Sequence, residues 1–246
     1  MVTFANRVSS SRGLTTTNSL DFFQRIKKAT DWIPFKDKIG PLYRPIIEKI
    51  KYRRDNKRFL AGGKDALIAA KHALDAEGIP FWLDFGTLLG ITRDGELIRH
   101  DTDVDIAVLN EHFSLKIREA LQSAGFKLVC EYLVDDGKEA REECYEFQGV
   151  GLDIFYYYRD ESHMWCHLFP VGEDGRLVRE LRMTWTGFRE FPFADLQWQI
   201  PGDHHQRLVD TYGETYNIPD PNFYTPDDAH NSRLLDLPCV YKKYDQ

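Results

Sequence analysis

No Cys-x-x-Cys pair, no run of eighteen apolar residues and no internal repeat occur in the 246 residues of this chain, and each absence removes a class of protein. The four cysteines, Cys130, Cys144, Cys166 and Cys239, follow no regular spacing. That argues against a disulfide framework and for reduced thiols in a cytoplasmic protein. Neither a transmembrane span nor a secretory signal is expected, because the Ser- and Thr-rich start of the chain has no apolar core. Basic residues are also in the minority, 32 Lys and Arg against 39 Asp and Glu for a net charge of −7, which excludes a general nucleic-acid binder.

What is present describes a globular chain. Hydrophobic residues make up 42% and aromatics 13%, enough for one sizeable domain with appendages. The charge is unevenly spread: between Arg25 and Lys64 thirteen Lys and Arg face four Asp and Glu, a net +9 that leaves −16 on the remainder. The reading is an N-terminal extension over residues 1–63, weakly ordered at first and then basic and helical, followed by a catalytic domain over residues 64–246. The basic stretch 25–64 reads either as a solvated helical face or as a contact with an anionic membrane surface or lipid-linked glycan from the cytoplasmic side.

Pro34, Pro41 and Pro45 punctuate short helical patterns, Ile46 to Arg54 reads as a basic amphipathic helix, and Gly62-Gly63 reads as a boundary. Ala66, Leu67, Ala70, Ala73 and Leu74 then recur at helical spacing up to Gly78. Strands are expected at 79–84, 96–109, 126–132, 145–150 and 152–158, with shorter ones around 165–169, 177–181 and 187–193; helices are expected at 87–92, 113–124 and 202–212. The alternation predicts an α+β fold, a mixed sheet with helices packed on it.

The chemistry-bearing stretch begins at Asp84-Phe-Gly86-Thr87, passes Arg93 and ends in Asp101-Thr-Asp103-Val-Asp105. Carboxylates at i, i+2 and i+4 of one strand point to one face, roughly 6 to 7 Å apart. Two unit charges about 4 Å apart repel by about 1 kcal/mol in water and by about 4 kcal/mol at an effective dielectric near 20. A cation among them removes that penalty, and hard oxygen ligands favour Mg²⁺ or Mn²⁺ over zinc. Asp153 interrupts the apolar segment Gly151-Leu-Asp-Ile-Phe-Tyr-Tyr; it joins the metal set if that strand runs beside the first. Gly86-Thr87 marks a strand-to-helix turn, where free N–H groups and the helix dipole suit a phosphate. Arg93 can meet phosphate charge with bidentate geometry, or pair with Asp94 or Asp84. Asp101 shares the acidic face as an outer partner of the site.

The string Trp82-Leu-Asp84-Phe-Gly86-Thr87-Leu-Leu-Gly90, Arg93, Gly95-Glu-Leu-Ile98, Asp101-Thr-Asp103-Val-Asp105-Ile resembles the LicD family of the nucleotidyltransferase fold superfamily, and Tyr212-Gly213 to Pro219 is similar to its closing motif. The similarity covers roughly Ala66 to Pro219, with His100 standing where an aromatic is usual. The resemblance implies transfer of a substituted phosphate, such as phosphocholine or a polyol phosphate, from a CDP-linked donor to a hydroxyl of a cell-surface or lipid-linked glycan. It implies that Asp103 and Asp105 bind the divalent metal, that Asp153 completes the catalytic set, and that Gly86, Thr87 and Arg93 hold donor phosphates. Two alternatives stay open: a nucleotidyltransferase placing a nucleoside monophosphate on a small molecule or sugar, and an Asp-x-Asp glycosyltransferase, whose nucleotide-binding βαβ half would have to precede the motif.

Weaker signals are His204-His205 at the start of the last helix, where His204 is assigned to substrate or phosphate, and His163-Met-Trp-Cys166-His167, where strand alternation sends neighbouring ligands to opposite faces and favours packing over zinc. Tyr156-Tyr157-Tyr158 with Trp185, Phe188, Phe191 and Phe193 could form a platform for a sugar or a choline-like group, or serve the core.

Overall fold

The structure, a computed structural model, describes residues 36–172, 175–220 and 223–244. The expectations for residues 1–35 lie outside the described residues. The chain divides into two compact units, Met1–Ile50 and Lys51–Gln246. In the first, the described part is the beginning of helix α1 (Lys36–Ala76), with Ile46, Ile47 and Ile50 exposed.

The second unit holds everything else. Phe59, Ala66, Leu67, Ala70 and Leu74 recur along one face of α1 and are buried in the main core with Val104, Ile106, Leu152 and Ile154. The helix runs through Gly62-Gly63 without the expected break. The glycines serve packing: a Cβ on Gly63 would sit 3.0 Å from the Phe59 ring and 3.2 Å from Leu97, so the missing side chain lets the helix seat closely.

The central strands are β1 (Trp82–Leu83), β2 (Asp103–Leu109), β3 (Lys127–Val134), β4 (Ala140–Phe147) and β5 (Val150–Arg159). β2 runs parallel to β5, and β1 against β2, β4 against β5 and β3 against β4 are antiparallel, which is the mixed sheet that the sequence predicts. β4 and β5 form a hairpin through Gln148-Gly149, both left-handed, the turn geometry that matches strand twist. The far end of β5 passes into β6 (His163–Leu168), β7 (Val178–Thr184) and β10 (Ser232–Leu235), while β11 (Val240–Lys243) lies against β3. β8 (Phe188–Phe193) and β9 (Leu196–Pro201) make a separate hairpin. Helices α2 (Phe85–Asp94), α3 (Leu115–Ser123), α4 (His204–Tyr212) and the short α5 (Thr225–Asp228) complete the unit. Among the described residues no helix is long and apolar enough to cross a membrane.

Period-two alternation sorts the sheet into two faces. Val104, Ile106 and Val108 of β2 with Leu152, Ile154 and Tyr156 of β5 enter the main core. That face also buries charge, but in matched form: Arg118 contacts Glu131 and reaches Glu143 at 2.6 Å, and Tyr145 and Tyr156 donate hydroxyls to Glu143 at 2.7 and 2.9 Å. Asp103 and Asp105 point to the other face.

Candidate active site

β2 and β5 pair in parallel with Asp105 opposite Asp153 and Asp103 opposite Gly151. Paired residues of adjacent strands share a face, so the two acids of β2 and the single acid of β5 lie on one side of the sheet. The register continues across the sheet: Cys144 of β4 lies opposite Asp153 and Glu142 opposite Phe155, while Cys130 and Tyr132 of β3 lie opposite Cys144 and Glu142. Together these strands floor a cleft of about 1370 Å³ that Asp101, Asp103, Asp105, Asp153, Glu142 and Cys144 line.

The wall over the acids is the start of α2. Asp84 caps the helix, accepting from the Phe85 N–H at 2.9 Å, and Phe85 takes a left-handed φ of 44° with its ring against Phe155. Left-handed geometry in a bulky residue costs of order 1–3 kcal/mol and persists only where the surroundings hold it. It brings Gly86 down onto the carboxylates: a Cβ there would stand 2.5 Å from Asp101 Oδ2 and 3.2 Å from Asp105 Oδ2.

Thr87 is placed differently from the phosphate-facing position expected of it. It is 2% exposed and absent from the cleft wall; its hydroxyl accepts from the Asp105 N–H at 2.8 Å and its own N–H donates to Asp105 Oδ2 at 3.3 Å. Consecutive helix positions point about 100° apart, so with Gly86 over the cleft Thr87 must face β2. Asp101 also departs from expectation, because β2 begins only at Asp103 and the segment before it is a loop. That loop is held from α1: Tyr52 donates its hydroxyl to the His100 carbonyl at 2.9 Å, and Asn56 donates to the carbonyls of Arg99 and Asp101 at 2.8 and 2.7 Å.

Arg93 lines the cleft, but Asp94 holds its guanidinium through two contacts at 2.9 and 2.7 Å, which keeps the Asp94 carboxyl below its ordinary range. His204 does not line the cleft. It starts α4 beside Phe191, ring centroids 6.1 Å apart, while Val209 and Tyr212 reach the cleft from later turns of the same helix. His167 and Cys166 are buried on opposite faces of β6, and burial pushes the His167 imidazole down to about 4, so it is neutral and packed. The three tyrosines are likewise anchored: Tyr156 donates to Glu143, Tyr157 to Asp84 and Tyr158 to the Gly137 carbonyl. Among the aromatic residues that do line the cleft, Tyr132 stacks on Phe169, with Arg176 5.1 Å above the Tyr132 ring.

Electrostatically the cleft gathers more acids than cations: Arg93, held by Asp94, and Arg176, whose charge acts on Glu142, are the arginines lining it. Burial first, then repulsion from Asp101, raises Asp103 well above the usual carboxylate range. Burial and the charges of Asp103, Asp101 and Asp153 do the same to Asp105 against the opposing Thr87 N–H, and burial with Asp103 pushes Asp153 up to about 7. Glu142 is raised by burial and by Asp153. Groups so raised call for a cation, and a donor set of several carboxylates fits a divalent one. Among the described residues, the group whose ligand atoms all lie within 4.8 Å of one another is Glu142, Cys144 and Asp153, with Asp103 and Asp105 facing the same cleft. Glu142, Cys144 and Arg176 were not singled out from the sequence for this site.

A mixed sheet that sets an Asp-x-Asp strand in parallel register with a third Asp, beneath a Gly-Thr helix start, defines a domain of the nucleotidyltransferase type. Residues 78–203, just over half the chain, match the family model described as LicD/FKTN/FKRP, nucleotidyltransferase domain, and the chain belongs to the LicD family. It is 30% identical over 181 residues to the ribitol-5-phosphate transferase FKTN of Homo sapiens, covering 70% of this chain and 35% of the relative. The Macaca fascicularis FKTN is 31% identical over 169 residues, 65% of this chain and 34% of the relative. The ribitol 5-phosphate transferase FKRP of Mus musculus is 29% identical over 136 residues, 52% of this chain and 24% of the relative. The chain spans about a third of the length of the FKTN relatives it matches.

Proposed function

We propose that this protein transfers a substituted phosphate, a polyol phosphate or phosphocholine, from a CDP-linked donor to a hydroxyl of a glycan. The observation that carries the reading is the parallel register of Asp105 with Asp153, with Asp103 on the same face under the Gly86 turn, in a chain whose relatives are named as ribitol-5-phosphate transferases. In the reaction the acceptor oxygen forms a bond to the head-group phosphorus, the bond from that phosphorus to the bridging oxygen breaks, CMP departs with the electron pair, and the acceptor proton passes to Asp153. Arg93 and the backbone around Gly86 face the donor phosphates. Thr87 fixes Asp105 from behind. Mg²⁺ or Mn²⁺, held by Asp103 and Asp105 with Asp153 left to the acceptor, would supply the charge neutralisation that phosphoryl transfer requires. The basic stretch 25–64, with Lys51, Arg53, Lys57 and Arg58 exposed, would bring the enzyme to an anionic membrane surface where lipid-linked acceptors lie.

Incubation with a panel of CDP compounds and glycan acceptors tests the reading. Released CMP and a product heavier by the head-group phosphate are expected; pyrophosphate release with a nucleotide on the product would replace it with the nucleotidyltransferase reading. Gly86→Ala is expected to lower kcat/KM for the donor about a hundredfold, because the added methyl must displace Asp101 and Asp105 from the site. A Gly86→Ala enzyme with wild-type kcat/KM would separate the turn from catalysis.

A further inference from the structure

Buried acids elsewhere in this molecule have guanidinium partners. Asp84 meets Arg207 at 2.7 Å, and Glu131 and Glu143, on the core face of β3 and β4, share Arg118 and Arg141. On the cleft face of β4 that matching stops. Glu142 is 8% exposed; its Oε1 accepts from the Cys144 thiol at 3.7 Å, the positive charge of Arg176 acts on it only in part against burial and Asp153, and among the described residues no Lys or Arg forms an ion pair with it. A carboxylate in that state costs several kcal/mol unless something of opposite charge meets it. Cys144, two residues along the strand, shares its face and sits in register with Asp153. The three ligand atoms lie within 4.8 Å of one another, in a wall of the open cleft.

We propose that Glu142, Cys144 and Asp153 form a second cation position, with one sulfur and two carboxylate donors, that takes a borderline or soft divalent cation of the zinc class. The sulfur sets it apart from the hard-oxygen pair Asp103 and Asp105, since thiolate selects zinc-like ions where carboxylate alone selects magnesium-like ones. As the sulfur–metal bond forms, the Cys144 thiol gives its proton to solvent. The position deepens the transfer reading by sharing Asp153: an ion bound there takes that carboxylate away from the acceptor, so zinc-class ions act against the magnesium-supported reaction.

Cadmium is the probe. Titrating the full chain, stripped of metal and with no donor or acceptor, is expected to develop a saturable ultraviolet thiolate-to-cadmium band that Cys144→Ser abolishes, Cys166→Ser retains and Glu142→Gln shifts to about tenfold weaker affinity or more. No band in the wild type, or a band that survives Cys144→Ser, overturns the proposal. Should Cys144→Ser fail to fold, the Glu142→Gln titration decides, and unchanged affinity overturns it. The titration requires no turnover, so an absent band leaves the transfer reading intact, and an inactive CDP panel leaves the cation position intact.

Discussion

Replacing Asp103 or Asp105 with Asn is expected to reduce CMP release by about a thousandfold or more while leaving the melting temperature in EDTA equal to or above that of the parent. The two halves of this expectation come from one cause. Asp105 is buried and Asp103 half-buried among acids that repel them, with Asp101 beside Asp103 and three acids acting on Asp105. In the proposed reaction charge there serves a cation and developing phosphate charge, where fixed electrostatic groups carry factors of about 10² to 10³ each, and it serves the fold poorly. Asn keeps the shape, and its amide oxygen can still accept the Thr87 N–H at position 105.

The pH profile of stability carries the same signature. An acid whose folded pKa is raised keeps its proton while the unfolded chain loses it, so stability falls as pH climbs from the unfolded value near 3.8 toward the folded one, about 7 for Asp153. Metal-free parent protein should therefore lose stability from mildly acid to neutral pH and regain it when Mg²⁺ is added, with a shallower slope in each Asn variant. Thermal unfolding across pH, with and without Mg²⁺, measures both. Full turnover in either variant, or a steep drop in its melting temperature, would refute the assignment.

Much of this site was legible in the sequence because its logic is local. Asp103 and Asp105 alternate on one strand, Gly86-Thr87 precedes them at a helix start, and a single acid in an apolar strand had few places to go. That this strand runs beside β2, and parallel to it, is shown by the structure; the sequence offers it only as a condition for Asp153 to join the other acids. What stayed hidden depended on long-range register. Arg141-Glu-Glu-Cys144 reads as a solvated run of charge; that Glu143 turns inward to Arg118 while Glu142 turns to the cleft is visible only once β3 and β5 flank it. Where the strand begins is hidden for a related reason: a strand begun at Glu96 puts Asp101 in the ladder, whereas it lines the cleft from the loop before β2, and the turn of Thr87 toward β2 shows only once that strand lies beneath it. β9 was overlooked although Leu196, Trp198 and Ile200 alternate, and β10 and β11 carry too many exposed residues to show a buried face.

Arg207→Ala is expected to cost about 3 to 5 kcal/mol of stability, the usual loss when one partner of a buried ion pair is removed, and to weaken catalysis although Arg207 lines no part of the cleft. The side chain of Arg207 is 2% exposed and that of Asp84 fully buried; the guanidinium meets Asp84 at 2.7 Å, donates to the Tyr157 hydroxyl at 3.1 Å and to Thr211, and lies 5.0 Å above the Phe85 ring. Asp84 in turn caps α2 and accepts the Tyr157 hydroxyl, so one cluster clamps α4 and β5 onto the residue whose left-handed backbone lowers Gly86 over the acids. Truncating Arg207 strands the Asp84 charge and frees Phe85 to relax, which lifts the turn. At about 2 to 4 °C per kcal/mol for a domain of this size, the melting temperature should fall by roughly 6 to 20 °C. The double variant Asp84→Asn with Arg207→Met strands no charge and should recover a good part of that loss. It should not recover turnover, because Met cannot hold Tyr157 and the cap together. Thermal unfolding and CMP release on the single and double variants separate the two effects. A drop below about 1 kcal/mol in Arg207→Ala, the range of an exposed pair, would mean that the Phe85-Gly86 turn holds its shape without this clamp.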